Sequence, residues 1–141
     1  MQAAHVRQIA ALERDCFSDP WSERSFLSEL ENPLSLWLVA LDGEAVLGYA
    51  GSQAVLDEAD IMNVAVAPSA RRQGLGRALM LALERALAAR GVATLALEVR
   101  ASNAPAQALY ASIGYEPVGR RKNYYFHPTE DALILKKRVE L

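Results

Sequence analysis

The chain has 141 residues, 52% of them hydrophobic, and 15 lysines and arginines stand against 17 acidic residues for a net charge of -2. That length is one domain's worth, and the apolar fraction can fill a core without metal or disulfide staples. The near balance of charge excludes a general nucleic-acid or anionic-membrane binder, which would carry a basic excess.

The opening "MQAAHVRQIA" lacks the basic end and apolar core of a signal peptide. No apolar run is long enough to span a membrane, so a soluble cytoplasmic protein is expected. From Ala3 to Phe17, Val6, Ile9, Ala10 and Phe17 recur at helical spacing and predict a first helix. Cys16, the single cysteine, sits in that pattern, where core packing is its expected role. It forbids an internal disulfide and fits a reducing compartment. "DPWSERSFLSEL" predicts a second short helix capped by Asp19 or Ser22. "SLWLVAL" and "AVLGYAGSQAVL" predict strands joined across Asp42-Gly43, a hairpin signal. "DEAD" then turns the chain into a strand from Ile61 to Val66, which Pro68 ends.

The next stretch, Arg71 to Arg77, reads "RRQGLGR" and opens a helix expected from Leu75 to Arg90. Its buried stripe would be Leu75, Leu79, Leu83, Ala86 and Leu87, and Gly91 would close it. Glycines in a first helical turn each cost roughly 1 kcal/mol against alanine. A plain loop entering a helix explains them only as tight-turn residues. A dinucleotide fingerprint fits "GLGRAL", with Glu98 as the downstream acid, but "APSARRQ" separates the strand from the first glycine. Too little chain follows Glu98 for the second half of that fold. A P-loop would need a Lys-Ser/Thr pair that is missing. The third reading is a pyrophosphate cradle, in which N–H groups at the helix start bind phosphate. Gly74 and Gly76 would admit the phosphates, and Arg71, Arg72 and Arg77 would add charge.

"ATLALEV" predicts a nearly all-apolar strand interrupted by Glu98 near its C-terminal end. Glu98 is either a strand-end residue paired with Arg100 or another cation, or a base at the edge where open α/β sheets place their sites. "APAQALYASIG" predicts a helix with Pro105 in its first turn and Gly114 past its end. Asn103 can cap that helix or touch a ligand, and Tyr110 on it can pack or donate a proton. "YEPVGRRKNYY" and "DALILKKRV" predict two final antiparallel strands. "RRK", Arg120 to Lys122, is expected to be a solvated strand edge. The sum is one α/β domain over residues 1–141: a mixed, mostly antiparallel sheet with helices on both faces. His5 and His127 lie far apart without ligand-like partners, so no metal site is expected.

Arg71-x-x-Gly74-x-Gly76 resembles the acetyl-coenzyme A motif of the GNAT superfamily of N-acetyltransferases. With "VLDEADIMNVAV", "RGVATLALEVRASNAPAQALYASIGY" and "RRKNYY", nearly the whole chain resembles the RimI-type ribosomal-protein-alanine N-acetyltransferases. One departure is the start: such proteins begin with a short strand, reduced here to "MQAA" or lying upstream. The resemblance implies a GNAT fold in which Arg71, Arg72, Gln73, Gly74, Leu75, Gly76 and Arg77 grip the coenzyme's pyrophosphate. It implies that the backbone of Val64, Ala65 and Val66, on a splayed strand, holds the pantetheine arm and that Asn103 touches the coenzyme. It makes Glu98 the base, directly or through water, and Tyr110 the acid toward the departing thiolate.

Trp21, Asn63, Tyr124 and Tyr125 are candidates for the walls of the acceptor site. Asp57, Glu58 and Asp60 form either a solvated turn or an attractor for a basic peptide. An α-amine near 7.7–8.0 is roughly a tenth neutral at pH 7, whereas a lysine near 10.4 is under about a thousandth neutral, which favours an N-terminal acceptor. The implied activity is acetyl transfer from acetyl-coenzyme A to the N-terminal alanine of the eighteenth small-subunit ribosomal protein, by direct attack in a ternary complex. A broader N-terminal or lysine acetyltransferase is one alternative, and an acyl-coenzyme A-binding module without catalysis is another. Neither direct nucleic-acid contact nor a membrane is expected.

Overall fold

The computed structural model describes residues 1–139. A 3-10 turn, Ala3–His5, leads into α1 (Val6–Cys16). Met1's amino group donates to the Trp37 carbonyl at 3.0 Å, so the chain before the turn touches the sheet without forming a strand. On α1, Val6, Ile9, Ala10 and Glu13 share the buried face. Phe17 caps α1 instead of continuing it and is 37% exposed, which removes it from the expected stripe. Cys16, at the helix end, is only half-buried, against the expectation of core packing. α2 (Glu23–Glu31) begins at Ser22, whose hydroxyl accepts from the Ser25 N–H at 3.1 Å.

The sheet comprises β1 (Ser35–Asp42), β2 (Ala45–Val55), β3 (Glu58–Val66), β4 (Thr94–Arg100), β5 (Glu116–Tyr125) and β6 (Glu130–Arg138). Its spatial order is β1-β2-β3-β4-β6-β5, and among the described residues only β3 and β4 run parallel. α3 (Leu75–Ala89) connects that parallel pair, and α4 (Ala104–Ser112) follows β4. The acidic stretch is less of a turn than expected. Glu58 to Asp60 pair with Thr94 to Ala96 as the start of β3, which leaves only Leu56 and Asp57 to turn. The backbone takes precedence there because the pairing satisfies amides that a longer turn would leave unpaired.

Two cores lie on opposite faces of the sheet. Leu79, Met80, Leu83 and Leu87 of α3 pack with Leu95, Leu97 and Val99 of β4. Leu83 and Leu87 are fully buried, each contributing about 1.5–3 kcal/mol. Leu75 and Ala86 are half-buried, and Met80 and Ala88 replace them in the buried stripe. On the other face, Val6, Ile9 and Leu12 of α1 and Phe26 of α2 pack on Trp37, Tyr49 and Ala65.

Two irregularities position the site. β3 and β4 stay paired only from Glu58–Thr94 to Asp60–Ala96, and then they part. In addition, β3 carries a bulge: Ile61 opposes Ser52 and Asn63 opposes Gly51, so Met62 is an extra residue. Side chains alternate along a strand, and one inserted residue inverts the alternation. Ala59 and Ile61 therefore face α3 before the bulge, as do Val64 and Val66 after it. Asn63 and Ala65 turn to α1.

Candidate functional site

The gap between β3 and β4 opens a cleft of about 690 Å³. Its lining includes Trp21, Asn63, Val64, Glu98, Asn103, Tyr110, Tyr124 and Tyr125 of the residues singled out from the sequence, together with Glu13, whereas Ala65, Val66 and the corner from Arg71 to Arg77 lie outside it. Leu95, Leu97 and Val99 are buried toward α3, so by alternation Glu98 and Arg100 lie on the α1 side of β4. Tyr110 packs against the α3-side core. The cleft thus reaches both faces of the sheet, with a carboxylate on one and a phenol on the other.

Main-chain groups of β3 edge the gap. Ala67 N–H donates to the Leu47 carbonyl at 2.7 Å, which fixes the phase of the β2–β3 ladder. Hydrogen-bonded pairs alternate in such a ladder, so the amides of Val64 and Val66 point toward β4 while those of Ala65 point toward β2. Of the three expected pantetheine contacts, Ala65 is therefore the one whose backbone is spent within the sheet. The Val66 carbonyl is also engaged, accepting from Arg71 Nε at 3.2 Å.

The corner after Ala70 is an uncapped helix start. Arg72 and Gly74 both take left-handed backbone conformations, with φ of 64° and 76°. Gly74 is the N-cap of α3, offers no side-chain cap, and the first turn holds no acidic residue. The helical ladder begins with Ala78 N–H on the Gly74 carbonyl, so the N–H groups of Leu75, Gly76 and Arg77 are free of it. A methyl group at Gly76 would meet Leu109 and Val66 at 3.5 and 3.7 Å, ordinary contacts. Packing within the chain therefore gives no reason for a glycine at 76, and the unpaired N–H groups of that turn suit an anion. Arg71 donates from Nη2 to Cys16 Sγ at 3.3 Å and from Nε to the Val66 carbonyl, which lays its side chain along the end of β3. Arg72 and Arg77 are exposed at the corner, alongside the exposed Gln73.

Glu98 is half-buried, with Oε1 3.4 Å from Arg121 Nε of β5. The expected cation partner is thus Arg121 and not Arg100. Arg100 instead donates to the Phe126 carbonyl at 2.8 Å and to Ser18 at 3.2 Å, tying the α1–α2 and β5–β6 connections together at the cleft mouth. His127 joins the same two connections through Asp19 at 2.7 Å. Burial pushes the Tyr110 phenol up to about 12. Asn103 is a cap, its Oδ1 accepting from Ala106 N–H at 3.2 Å, which leaves only its Nδ2 to reach a ligand.

Tyr124 is 46% exposed, and its ring stands perpendicular to that of Tyr125 at 5.0 Å. Arg100 lies 4.6 Å over the Tyr125 ring. Trp21 packs on Phe26 and Trp37 at 5.4 and 5.6 Å and still borders the cleft. Asp57, Glu58 and Asp60 are not in the lining. Asp60 nonetheless pairs opposite Ala96, which puts it on the face that carries Glu98.

Glu13 went unnoticed in the sequence. It is 1% exposed, accepts from the Tyr49 hydroxyl at 2.7 Å, and contacts Asn63 Nδ2 with both oxygens. Burial raises its pKa to about 7, against the opposing hydrogen bond from Tyr49. The signal was present: Glu13 is a charged residue on the apolar stripe, four residues after Ile9.

A profile described as the acetyltransferase (GNAT) family matches residues 6–115. The chain is 46% identical over 134 residues to the ribosomal protein bS18-alanine N-acetyltransferase of Escherichia coli K12, covering 92% of this chain and 88% of that protein. Against the protein of the same description from Salmonella typhimurium it is 47% identical over 135 residues, covering 92% and 88%. The crystal structure of the E. coli ribosomal-protein-S18-alanine N-acetyltransferase matches with a TM-score of 0.91 at 40% identity, covering 100% of this chain and 92% of that one.

Proposed function

The chain belongs to the acetyltransferase (GNAT) family, and from that premise we propose that it transfers acetyl from acetyl-coenzyme A to the N-terminal alanine of ribosomal protein bS18. It is an acetyl-coenzyme A-dependent peptide-alanine N-acetyltransferase, acting through all of residues 1–141 as one domain. The observation that supports this reading best is the parted β3–β4 pair, with a phosphate cradle and Tyr110 toward one face and Glu98 toward the other. Among the described residues no helix is long and apolar enough to cross a membrane. We place its action in the cytoplasm, with its ribosomal-protein acceptor.

Acetyl-coenzyme A supplies the acetyl group as a thioester. The N–H groups of Leu75, Gly76 and Arg77 bind its pyrophosphate, and the free main-chain groups of Val64 and Val66 hold its pantetheine arm. The acceptor enters from the α1 face between Asn63, Tyr124 and Tyr125, and its amine attacks directly in the ternary complex. Glu98 takes the proton that the amine must lose, directly or through water. Tyr110 donates a hydrogen bond to the departing sulfur. Incubation with acetyl-coenzyme A and total ribosomal proteins tests the reading. Mass spectrometry should find acetyl on the α-amine of the alanine that begins bS18. Modification of lysine side chains instead, or no turnover at all, would overturn it.

Two expectations arise from the donor and acceptor sides. Gly76→Ala should leave thermal stability unchanged or raise it by about 1 kcal/mol, as helix propensity dictates. It should weaken coenzyme A binding by about tenfold or more, or 1.4 kcal/mol, because the methyl occupies the phosphate's approach. Calorimetric affinity equal to wild type would remove the cradle. On the acceptor side, D57N, E58Q and D60N together should raise the peptide KM by about threefold at low salt and much less near 0.5 M, since exposed charges are screened. E58Q and D60N are expected to carry the effect, because Glu58 and Asp60 pair opposite Thr94 and Ala96 on the Glu98 face, whereas Asp57 lies in the turn before β3. A peptide KM indifferent to both charge and salt would make the acidic stretch merely solvated.

A further inference from the structure

Burying a carboxylate is costly unless its oxygens are satisfied. Glu13 meets that condition with Tyr49 from β2 and Asn63 from β3, and so joins α1 to the strand that borders the cleft. An ionised carboxylate can only accept hydrogen bonds, so it dictates which end of the Asn63 amide faces it. Nδ2 lies toward Glu13, 3.1 Å from Oε2, and Asn63 is among the residues that line the cleft. The bulge at Met62 is what turns Asn63 to this side. Without the extra residue its side chain would follow Ile61 toward α3.

We propose that Glu13 is a positioning residue for the acceptor, locking the Asn63 amide so that its Oδ1 accepts an N–H of the incoming amino terminus. The proposal rests on the acetyltransferase reading and adds to it a contact on the acceptor side. Asn63 and Glu98 lie on the same face of the parted strands, so the amide oxygen of one would orient the amine that the carboxylate of the other deprotonates. A glutamine at 13 could present either its oxygen or its amide to Asn63. The lock would be lost although shape and packing are kept.

The test is steady-state kinetics of the full chain at about pH 8, above the Glu13 value of about 7, with an alanine-starting peptide and acetyl-coenzyme A varied separately. Glu13→Gln should raise the peptide KM about tenfold or more, the loss expected for a hydrogen bond to a charged group. The coenzyme KM should not change. Asn63→Ala should do the same, and it decides the matter if Glu13→Gln does not fold. In the double variant E13Q/N63D the donor and acceptor ends are exchanged, and an oxygen of the introduced carboxylate again faces the cleft. It should recover most of the lost peptide affinity, which a purely structural role would not predict. Unchanged peptide KM in both single variants, a parallel rise in coenzyme KM, or no recovery in the double variant overturns the proposal. A wild-type protein that acetylates no alanine peptide overturns the acetyltransferase reading, and this contact with it.

Discussion

Exchanging Glu98 for glutamine is expected to slow acetylation of an alanine-starting peptide roughly 10²–10⁴-fold at neutral pH, the usual share of general base catalysis. The side chain stands on β4 just past the last residue paired with β3, facing the cleft. Glutamine preserves its shape and can still lie beside Arg121, but it accepts no proton. At pH 7 roughly nine-tenths of an α-amine is protonated, so the wild type removes a proton that the variant cannot. As pH rises past the amine's own value near 8, the acceptor arrives neutral and the deficit should shrink. The pH–rate profile decides, with single-turnover kinetics to ensure that chemistry limits the rate. Near-normal turnover of the variant at pH 7 under those conditions would place the base elsewhere.

Tyr110→Phe should also cost about 10²-fold or more, but without rescue by alkali. Burial lifts the phenol to about 12, so it remains protonated across the working range. A thiol near 8.5 gives a thiolate that is a weaker base than that phenolate by about 3.5 units, roughly 5 kcal/mol against full transfer. Tyr110 therefore acts on our assignment as a fixed donor to charge developing on sulfur, with the proton following once the thiolate is held. Phenylalanine removes the donor and nothing that titrates, so the loss should be flat between about pH 6 and 10. Coenzyme affinity should stay within about threefold. A recovery that tracks pH would mean that Tyr110 serves some other group.

Most of the fold could be read from periodicity and punctuation. Ser22, Pro105, Gly91 and Gly114 marked helix ends, and the Asp42-Gly43 turn marked the first hairpin. The sequence placed Glu98, Tyr110 and the glycine corner in the right elements because glycine pairs and lone polar residues in apolar runs stand out. It could not show which carbonyls Arg71 would reach, since a long side chain close to a strand end has several partners available. Nor could it show the bulge at Met62, because "IMNVAV" alternates no less plausibly without one. That single residue decides whether Asn63 meets Glu13 or the opposite core. Glu13 itself was hidden by habit: a charge within an amphipathic helix reads as solvated until a tyrosine and an asparagine from distant strands are found beside it.

The two halves of the cleft differ in how they are encoded. On the α3 face, the coenzyme contacts we propose come mostly from main-chain groups of β3 and the first turn of α3, which substitutions outside the glycine corner leave in place. On the α1 face, Asn63, Tyr124 and Tyr125 present side chains, each altered by one codon change. On that proposal, mutational drift redirects which polypeptide is modified while most of the grip on the donor is inherited. A library randomised at those three positions would sort into variants with new acceptors and an old coenzyme affinity, and a lineage could diverge in targets by the same route.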